Sequence, residues 1–346
     1  MQTLRIIGAI IGLASFFLVF FMRFRLRRLR NLDWLIGSAL SLGLFLLGLY
    51  PDIFNAFLGF FSFRKGGGER LIGLLVFSNL VSYLLIYVAL SRTNHFERLL
   101  DRLVRELAKK EFRQLHDPSD APIYVIIPAY NEARNIKTVL ERIPSEVFGA
   151  RTKSLVVIDG ATDNTEQVVR QLNQAAVSYT INRGGGSALK AGYEIAFEAG
   201  AEIVVTLDAD GQHSPEEIPK LVKPILEGEA DLVNGSRVLG HYEKDSQIRA
   251  AGVVFFNWLV SLLTMTRITD CSNAFRAIRA SELAKLDLRQ SQYHTSELLI
   301  EAIKKGARVK EVPISIKKRL SGESKKPPSL RYGWGFTKAI LFTWLR

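Results

Sequence analysis

Between residues 123 and 233, short apolar runs alternate with longer amphipathic ones, and this alternation restricts the fold more than any other feature of the chain. The runs 123–127, 155–158, 203–207 and 231–233 have the length and composition of strands; 135–143, 165–172, 187–199 and 215–226 read as helices. Strands separated by helices imply a mostly parallel sheet covered on both faces. Ligands of such sheets bind beyond the carboxyl ends of the strands. The chemistry should therefore sit where these strands stop.

The strand ends carry polar and acidic residues. The first run leads into Pro128-Ala129-Tyr130-Asn131-Glu132, the second into Asp159-Gly160-Ala161-Thr162-Asp163, and a later one into Asp208-Ala209-Asp210-Gly211-Gln212. In the last of these the turn after the strand brings two carboxylates one residue apart to one place, where they repel. A divalent cation removes the repulsion, and hard oxygen ligands suit Mg²⁺ or Mn²⁺. Taken alone, a D-x-D of this kind reads more readily as a polar turn with Ser214 capping and Pro215 at the first helical position. Three successive acidic strand ends facing one crevice favour the cation. The glycines of Asn182-Arg183-Gly184-Gly185-Gly186 lack the remaining spacing of a phosphate loop and fit a turn equally well.

Charge separates the chain into parts. Residues 1–115 hold 16 Lys+Arg against 7 Asp+Glu and residues 317–346 hold 8 against 1, leaving 22 against 26 between them. The net charge of +12 thus resides at the ends, beside apolar segments, which argues against a nucleic-acid groove and for an anionic lipid surface. A single cysteine, Cys271, excludes an intramolecular disulfide and a Cys-rich zinc site. Three charge-free stretches, 6–22, 34–50 and 71–91, read as membrane spans. The five arginines between residues 23 and 30 then place that loop in the cytoplasm by the positive-inside rule. The expectation is a multi-pass integral membrane protein with residues 1–91 as its transmembrane domain of about three helices and a cytoplasmic catalytic domain. Residues 53–63 read as an interfacial or re-entrant segment. Residues 92–117 read as a juxtamembrane helix and linker, with Phe96, Leu99, Leu100, Leu103 and Leu107 on one face.

The motifs IIPAYNE (126–132), VVIDGATDNT (156–165), LDADGQH (207–213), NGSR (234–237), DCSNAFRA (270–277) and VPISIKKRLSGESK (312–325) occur in the order seen in the inverting family 2 glycosyltransferases. The segment of about 200 residues that carries them resembles the polyprenyl-phosphate group of that family, which includes dolichyl-phosphate mannosyltransferase. The first 115 residues resemble a small membrane domain found beside such transferases. The resemblance implies an α/β GT-A fold, Rossmann-like with a mostly parallel sheet, over 118–326. It implies that Pro128, Tyr130, Glu132, Val157, Asp159 and Asp208 line the donor-nucleotide pocket, with Asp159 at the base. Asp208, Asp210 and Gln212 would hold Mg²⁺ or Mn²⁺ on the diphosphate. Asp210, Arg237, Arg249, Arg319 and Lys325 would act at the reaction centre, the cations neutralising the leaving group. The implied donor is a nucleotide sugar, GDP-mannose before UDP-glucose, and the implied acceptor is polyprenyl phosphate in a bilayer; an oligomer of identical chains stays open. This sequence departs from the pattern at Ile158 and Ala161, at Gly186 where lysine is common, and at Asn273-Ala274 where Ser/Thr-Gly is usual.

A phosphate acceptor changes what the site must supply. A phosphate monoester has a second pKa near 6 and arrives mostly dianionic, so it needs no general base. Screening cations matter more, and the basic stretch from Lys317 to Lys326 suits a mobile loop over the site. The terminal stretch 327–346 mixes Tyr332, Trp334, Phe336, Phe342 and Trp344 with Arg331, Lys338 and Arg346, a composition typical of a membrane interface. Two other functions fit fewer features: a glycolipid or polysaccharide transferase with a hydroxyl acceptor, which lacks the Q-x-x-R-W motif, and a non-catalytic, membrane-anchored protein that binds nucleotide sugars.

Overall fold

The computed structural model describes residues 2–24, 31–50, 69–115, 121–242, 247–319 and 330–346. The chain divides into two compact units, Met1–His95 and Phe96–Arg346. The segment 53–63, the arginine-rich loop from Arg25 and the linker after 115 lie outside the described residues.

In the first unit α1 (Gln2–Phe24) packs against α2 (Asn31–Leu49), and Gly37 permits the approach: a Cβ there would lie 3.1 Å from Val19 Cγ2. The expected helices are present, but among the described residues no helix is long and apolar enough to cross a membrane. The three spans and the multi-pass integral placement expected from hydropathy are corrected accordingly. Their uncharged stretches are short or diluted. Arg5 and Arg23 bound a 17-residue run in α1, Asp33 opens α2, and the third stretch, with Ser78, Asn79 and Ser82, is part of α3 (Glu69–Leu115), whose later turns are densely charged.

The second unit is an α/β domain on an eight-stranded sheet ordered β2-β3-β1-β5-β7-β6-β8, with β4 beside β3. Its strands are β1 (Ile123–Ala129), β2 (Glu146–Val147), β3 (Ala150–Asp159), β4 (Ala175–Tyr179), β5 (Ile203–Thr206), β6 (Leu232–Tyr242), β7 (Arg276–Arg279) and β8 (Val309–Ile316). β4, β3, β1 and β5 run parallel, as the alternation predicts. β7 runs antiparallel between β5 and β6, so the sheet is mixed rather than mostly parallel. The helices are α4 (Ile136–Glu141), α5 (Thr165–Gln171), α6 (Gly185–Glu198), α7 (Ile218–Leu226), α8 (Gln247–Thr264), α9 (Ala280–Leu283), α10 (His294–Lys304) and α11 (Leu330–Leu345).

Strand periodicity builds the core. Tyr124 and Ile126 of β1 enter one cluster with Leu155, Val157 and the inner face of α6; Ile123, Val125 and Ile127 enter the other with α4 and α7. Both faces are buried, which is why these runs read as continuously apolar. From Phe96 onward α3 belongs to this domain. Ala108 and Phe112 are buried in the first cluster, while Arg105, Lys109 and Arg113 pair with Glu194 and Glu198 of α6. Phe96, Leu99, Leu103 and Leu107, the face picked out by hydropathy, are exposed.

Candidate active site at the carboxyl edge of the sheet

β1, β3 and β5 end side by side in register, so the three acidic turns share one edge. Beyond β1 the chain turns at Asn131, which adopts φ +54°, a conformation asparagine tolerates. The Asn131 side chain holds the next loop, accepting from Thr162 N at 2.7 Å. Glu132 is buried, its backbone N–H donating to Thr165 Oγ1 at 2.8 Å and its Oε2 accepting from Asn135 Nδ2 at 2.7 Å.

At the end of β3 Asp159 is buried and stitches the glycine loop to the sheet. Its two carboxylate oxygens accept from Arg183 N and Gly184 N, each at 2.7 Å. Burial pushes its carboxyl pKa up, against the pull of those two N–H groups. Gly160 must be glycine: φ is +63°, and a Cβ would stand 2.3 Å from Asn182 N. Val157, expected to line the pocket, is buried in the core instead. Pro128 pairs with it across the β1–β3 ladder and is half-buried, as is Tyr130.

Beyond β5 the Asp208-Ala209-Asp210 turn closes at Gly211, with Gln212 N donating to Asp210 Oδ1 at 3.1 Å. The Ser214 hydroxyl makes no capping hydrogen bond to the Pro215–Glu217 turn, so capping does not account for the residues before it. Burial first and the Asp208 charge second push the Asp210 carboxyl pKa up. The end of β8 fastens the turn from the other side: Lys317 N donates to Gln212 O at 2.9 Å, and His213 bridges to Ile316. Arg319, just beyond, reaches into the crevice. Its guanidinium lies 2.5 Å from Glu132 Oε1 and 3.5 Å from Asp210 Oδ2, so one cation links the first and third acidic turns.

Arg237 is in β6. It grips the fully buried Asp270 through Nε at 2.6 Å and a second guanidinium nitrogen at 3.0 Å, and donates to Ser272 Oγ at 2.8 Å. Glu311 completes this polar layer, accepting from Thr269 N, Asp270 N and Asn234 Nδ2. Arg249 sits in α8, but its side chain, like all of Lys325, lies outside the described residues. Asp208, Asp210, Gln212, Glu132, Asp159 and Arg319 are therefore gathered at one edge; Val157 is not among them, and Arg237 pairs with Asp270. The sequence reading gave no role to Asp270 or His213 and took Asn273 only as a departure from the family pattern, although all three lie inside the quoted motifs. Among the described residues no three His, Cys, Asp or Glu side chains form a ready-made metal cage.

The profile described as "Glycosyl transferase family 2" matches residues 124–286, which contain the three turns, Arg237 and Asp270. A UDP-N-acetylglucosamine–dolichyl-phosphate N-acetylglucosaminyltransferase of Methanococcus voltae is 34% identical over 218 residues, 57% of this chain and 86% of that protein. The chain belongs to glycosyl transferase family 2. Another relative of this glycosyltransferase is the undecaprenyl-phosphate mannosyltransferase of Micrococcus luteus, 29% identical over 59% of this chain and 86% of that one. Among solved structures, glucosyl-3-phosphoglycerate synthase from Mycobacterium tuberculosis, in complex with Mn²⁺, uridine diphosphate and glucosyl-3-phosphoglycerate, superposes with a TM-score of 0.54. It covers 65% of this chain and 80% of that one at 20% identity, a likeness of fold. In this family 2 transferase Arg319 falls after the matched segment and joins the site only through the return of β8.

Proposed function

We propose that this transferase moves one sugar from a nucleotide-sugar donor to a polyprenyl phosphate with inversion at the anomeric carbon, using a divalent cation. The observation that carries the reading is the Asp208–Asp210 turn with Arg319 drawn against it. Two carboxylates, one with a raised pKa, and an adjacent guanidinium form a place where a cation and a diphosphate neutralise one another. The donor set fits Mg²⁺ or Mn²⁺: Asp208, Asp210 and the Gln212 amide offer hard oxygens, and such ions are usually completed by substrate phosphates rather than by an all-protein cage. When bound, the ion would offset the negative charge that develops on the departing diphosphate.

The remaining work falls to the chain's own groups. Glu132, Tyr130 and the Asp159-held glycine loop shape the donor side. Arg319 exchanges Glu132 for phosphate oxygens, which match its planar donors. The acceptor phosphate oxygen attacks the anomeric carbon as the bond to the diphosphate breaks, and the nucleoside diphosphate leaves with the bonding pair. No proton has to be removed from such an acceptor. The fate of Asp270 supports a phosphate acceptor over a hydroxyl one: its carboxylate, a natural base for a sugar alcohol, is fully buried and spent on Arg237.

A lipid-linked acceptor needs a lipid surface, and α8 and α11 offer one on this domain. Phe256 stacks against Phe336 at 4.6 Å, and Trp344 Nε1 donates to Leu263 O at 2.8 Å. Outside that contact Val254, Trp258, Met265, Trp334 and Phe342 are exposed, with Lys338 among them. GDP-mannose and UDP-glucose remain the donors to try first, with UDP-N-acetylglucosamine added because a relative's name specifies it. Purified protein, labelled sugar nucleotide, polyprenyl phosphate and Mn²⁺ should yield a lipid-linked sugar. Absence of product with every donor, or undiminished product from Asp210→Ala, overturns the proposal.

A further inference from the structure

His213 directly follows the cation-binding turn and is only 4% exposed. Its Nε2 lies 2.8 Å from Asn273 Oδ1. The Asn273 amide has one orientation that satisfies its surroundings, because its nitrogen donates to Gly235 O at 2.6 Å and to Phe275 O at 3.4 Å. Oδ1 is therefore the atom turned to the imidazole. An amide oxygen only accepts, so Nε2 must carry the proton. In the neutral ring Nδ1 is then a lone pair.

That lone pair is buried and has no hydrogen-bond partner among the described residues. It faces Asp208 Oδ2 at 3.9 Å. Two acceptors turned toward each other repel unless something electron-poor lies between them. The separation is too long for a hydrogen bond. It is within the roughly 4.2 Å that two ligands, each about 2.1 Å from one ion, can span. Nor is the ring free to turn away: the tilted ring of Phe275 packs against it with centroids 5.2 Å apart, and the Ile316 bridge pins its backbone.

We propose that His213 is a further member of the cation site, its Nδ1 giving the ion a nitrogen neighbour beside Asp208 and biasing the site toward Mn²⁺ over Mg²⁺. Imidazole suits transition ions, whereas Mg²⁺ prefers carboxylate, carbonyl and water oxygens. Asn273, which stands where the family resemblance expects Ser or Thr, is the residue whose longer amide reaches the ring and fixes its tautomer. The inference rests on the cation reading above but adds a ligand that reading does not contain.

The test uses the full chain with Mn²⁺ and inorganic pyrophosphate, which stands in for the donor's diphosphate and brings no nitrogen of its own. Pulsed electron paramagnetic resonance of bound Mn²⁺ should show ¹⁴N modulation from a coordinated imidazole. His213→Gln keeps an amide N–H for Asn273 and deletes Nδ1; it should lose the modulation and weaken Mn²⁺ binding about tenfold or more, the scale of losses around metal sites. Mg²⁺ binding, read by competition, should change much less. In His213→Asn an amide oxygen replaces Nδ1, so the modulation should vanish while Mg²⁺ competes better. Bound Mn²⁺ without nitrogen modulation in the wild type, a readout that needs no variant, overturns the inference and leaves the cation reading intact. Absence of Mn²⁺ binding overturns both. A nitrogen-coordinated ion in a protein that transfers no sugar overturns only the proposed function.

Discussion

Replacing Asp270 with asparagine tests whether Arg237 is held by the fold. Asp270 is fully buried; it receives two guanidinium hydrogen bonds, at 2.6 and 3.0 Å, and the Arg237 backbone N–H at 3.1 Å. The asparagine keeps the shape but removes the charge and turns an NH₂ toward one of the arginine's donors. Breaking a buried pair from one side costs about 3–5 kcal/mol, because the remaining charge is left uncompensated. The Arg237 side chain is 21% exposed and can reach water, which puts the expected loss near the lower figure, about 3 kcal/mol. At about 2–4 °C per kcal/mol for a domain of this size, the melting temperature should fall by roughly 6–12 °C. Differential scanning calorimetry reads it, and Arg237→Met with Asp270→Leu should recover much of the loss, as an apolar replacement of both partners removes the stranded charge. Asp270→Asn melting within 2 °C of the wild type would refute the view that this pair anchors β6 to the following motif, and would return Arg237 to the pool of phosphate ligands.

Three further outcomes follow from individual contacts. Gly186→Ala should lower the melting temperature by several degrees, since its Cβ would stand 2.1 Å from Gln290 O, a backbone atom that cannot move aside alone. Asp231, held near a pKa of about 2 by the Arg308 guanidinium, should stabilise the fold fully above the unfolded value of 3.8 and lose that contribution as pH falls toward 2. The difference in melting temperature between wild type and Asp231→Asn should therefore be constant near neutrality and shrink below about pH 4. Arg319→Met should weaken binding of GDP or UDP in the presence of Mn²⁺ about tenfold or more by calorimetry, the scale of a charged hydrogen bond, and, because it takes a cation from the buried Glu132, should also lower the melting temperature of the apo protein by several degrees.

Legibility followed the range of the interactions. The parallel strands β1, β3 and β5, the Asp208–Asp210 turn and the glycine at 160 are local matters of burial and turn conformation, and the chain states them within a dozen residues, whereas the fourth parallel strand, β4, was not read. β7 escaped because its four residues are too few for a period, and only its neighbours decide that it runs antiparallel. The partners of Arg237 and Arg319 lie 33 and 187 residues away, so composition marked both as cations without telling a structural anchor from a site residue. At α3 the leucines mark one face and that face is exposed, whereas Ala108 and Phe112 do the packing and Arg105 and Lys109 make the long-range pairs, which composition does not reveal. In the N-terminal unit the uncharged runs were read correctly as helices and overread as spans, a distinction that rests on a few residues of apolar length.

The departures from the family pattern become intelligible in the same terms. At Gly186 lysine could not fit this backbone, because any Cβ would collide with Gln290 O. The loop instead comes close enough for Gly186 N–H to donate to Ser291 O at 2.7 Å, while Asp159 holds its preceding residues. At position 273 the exchange runs the other way: a longer side chain is introduced, and it reaches the one buried imidazole beside the acidic turn. Both departures therefore have a local physical reason: a backbone approach that leaves no room for a side chain at 186, and an amide long enough to reach His213 at 273.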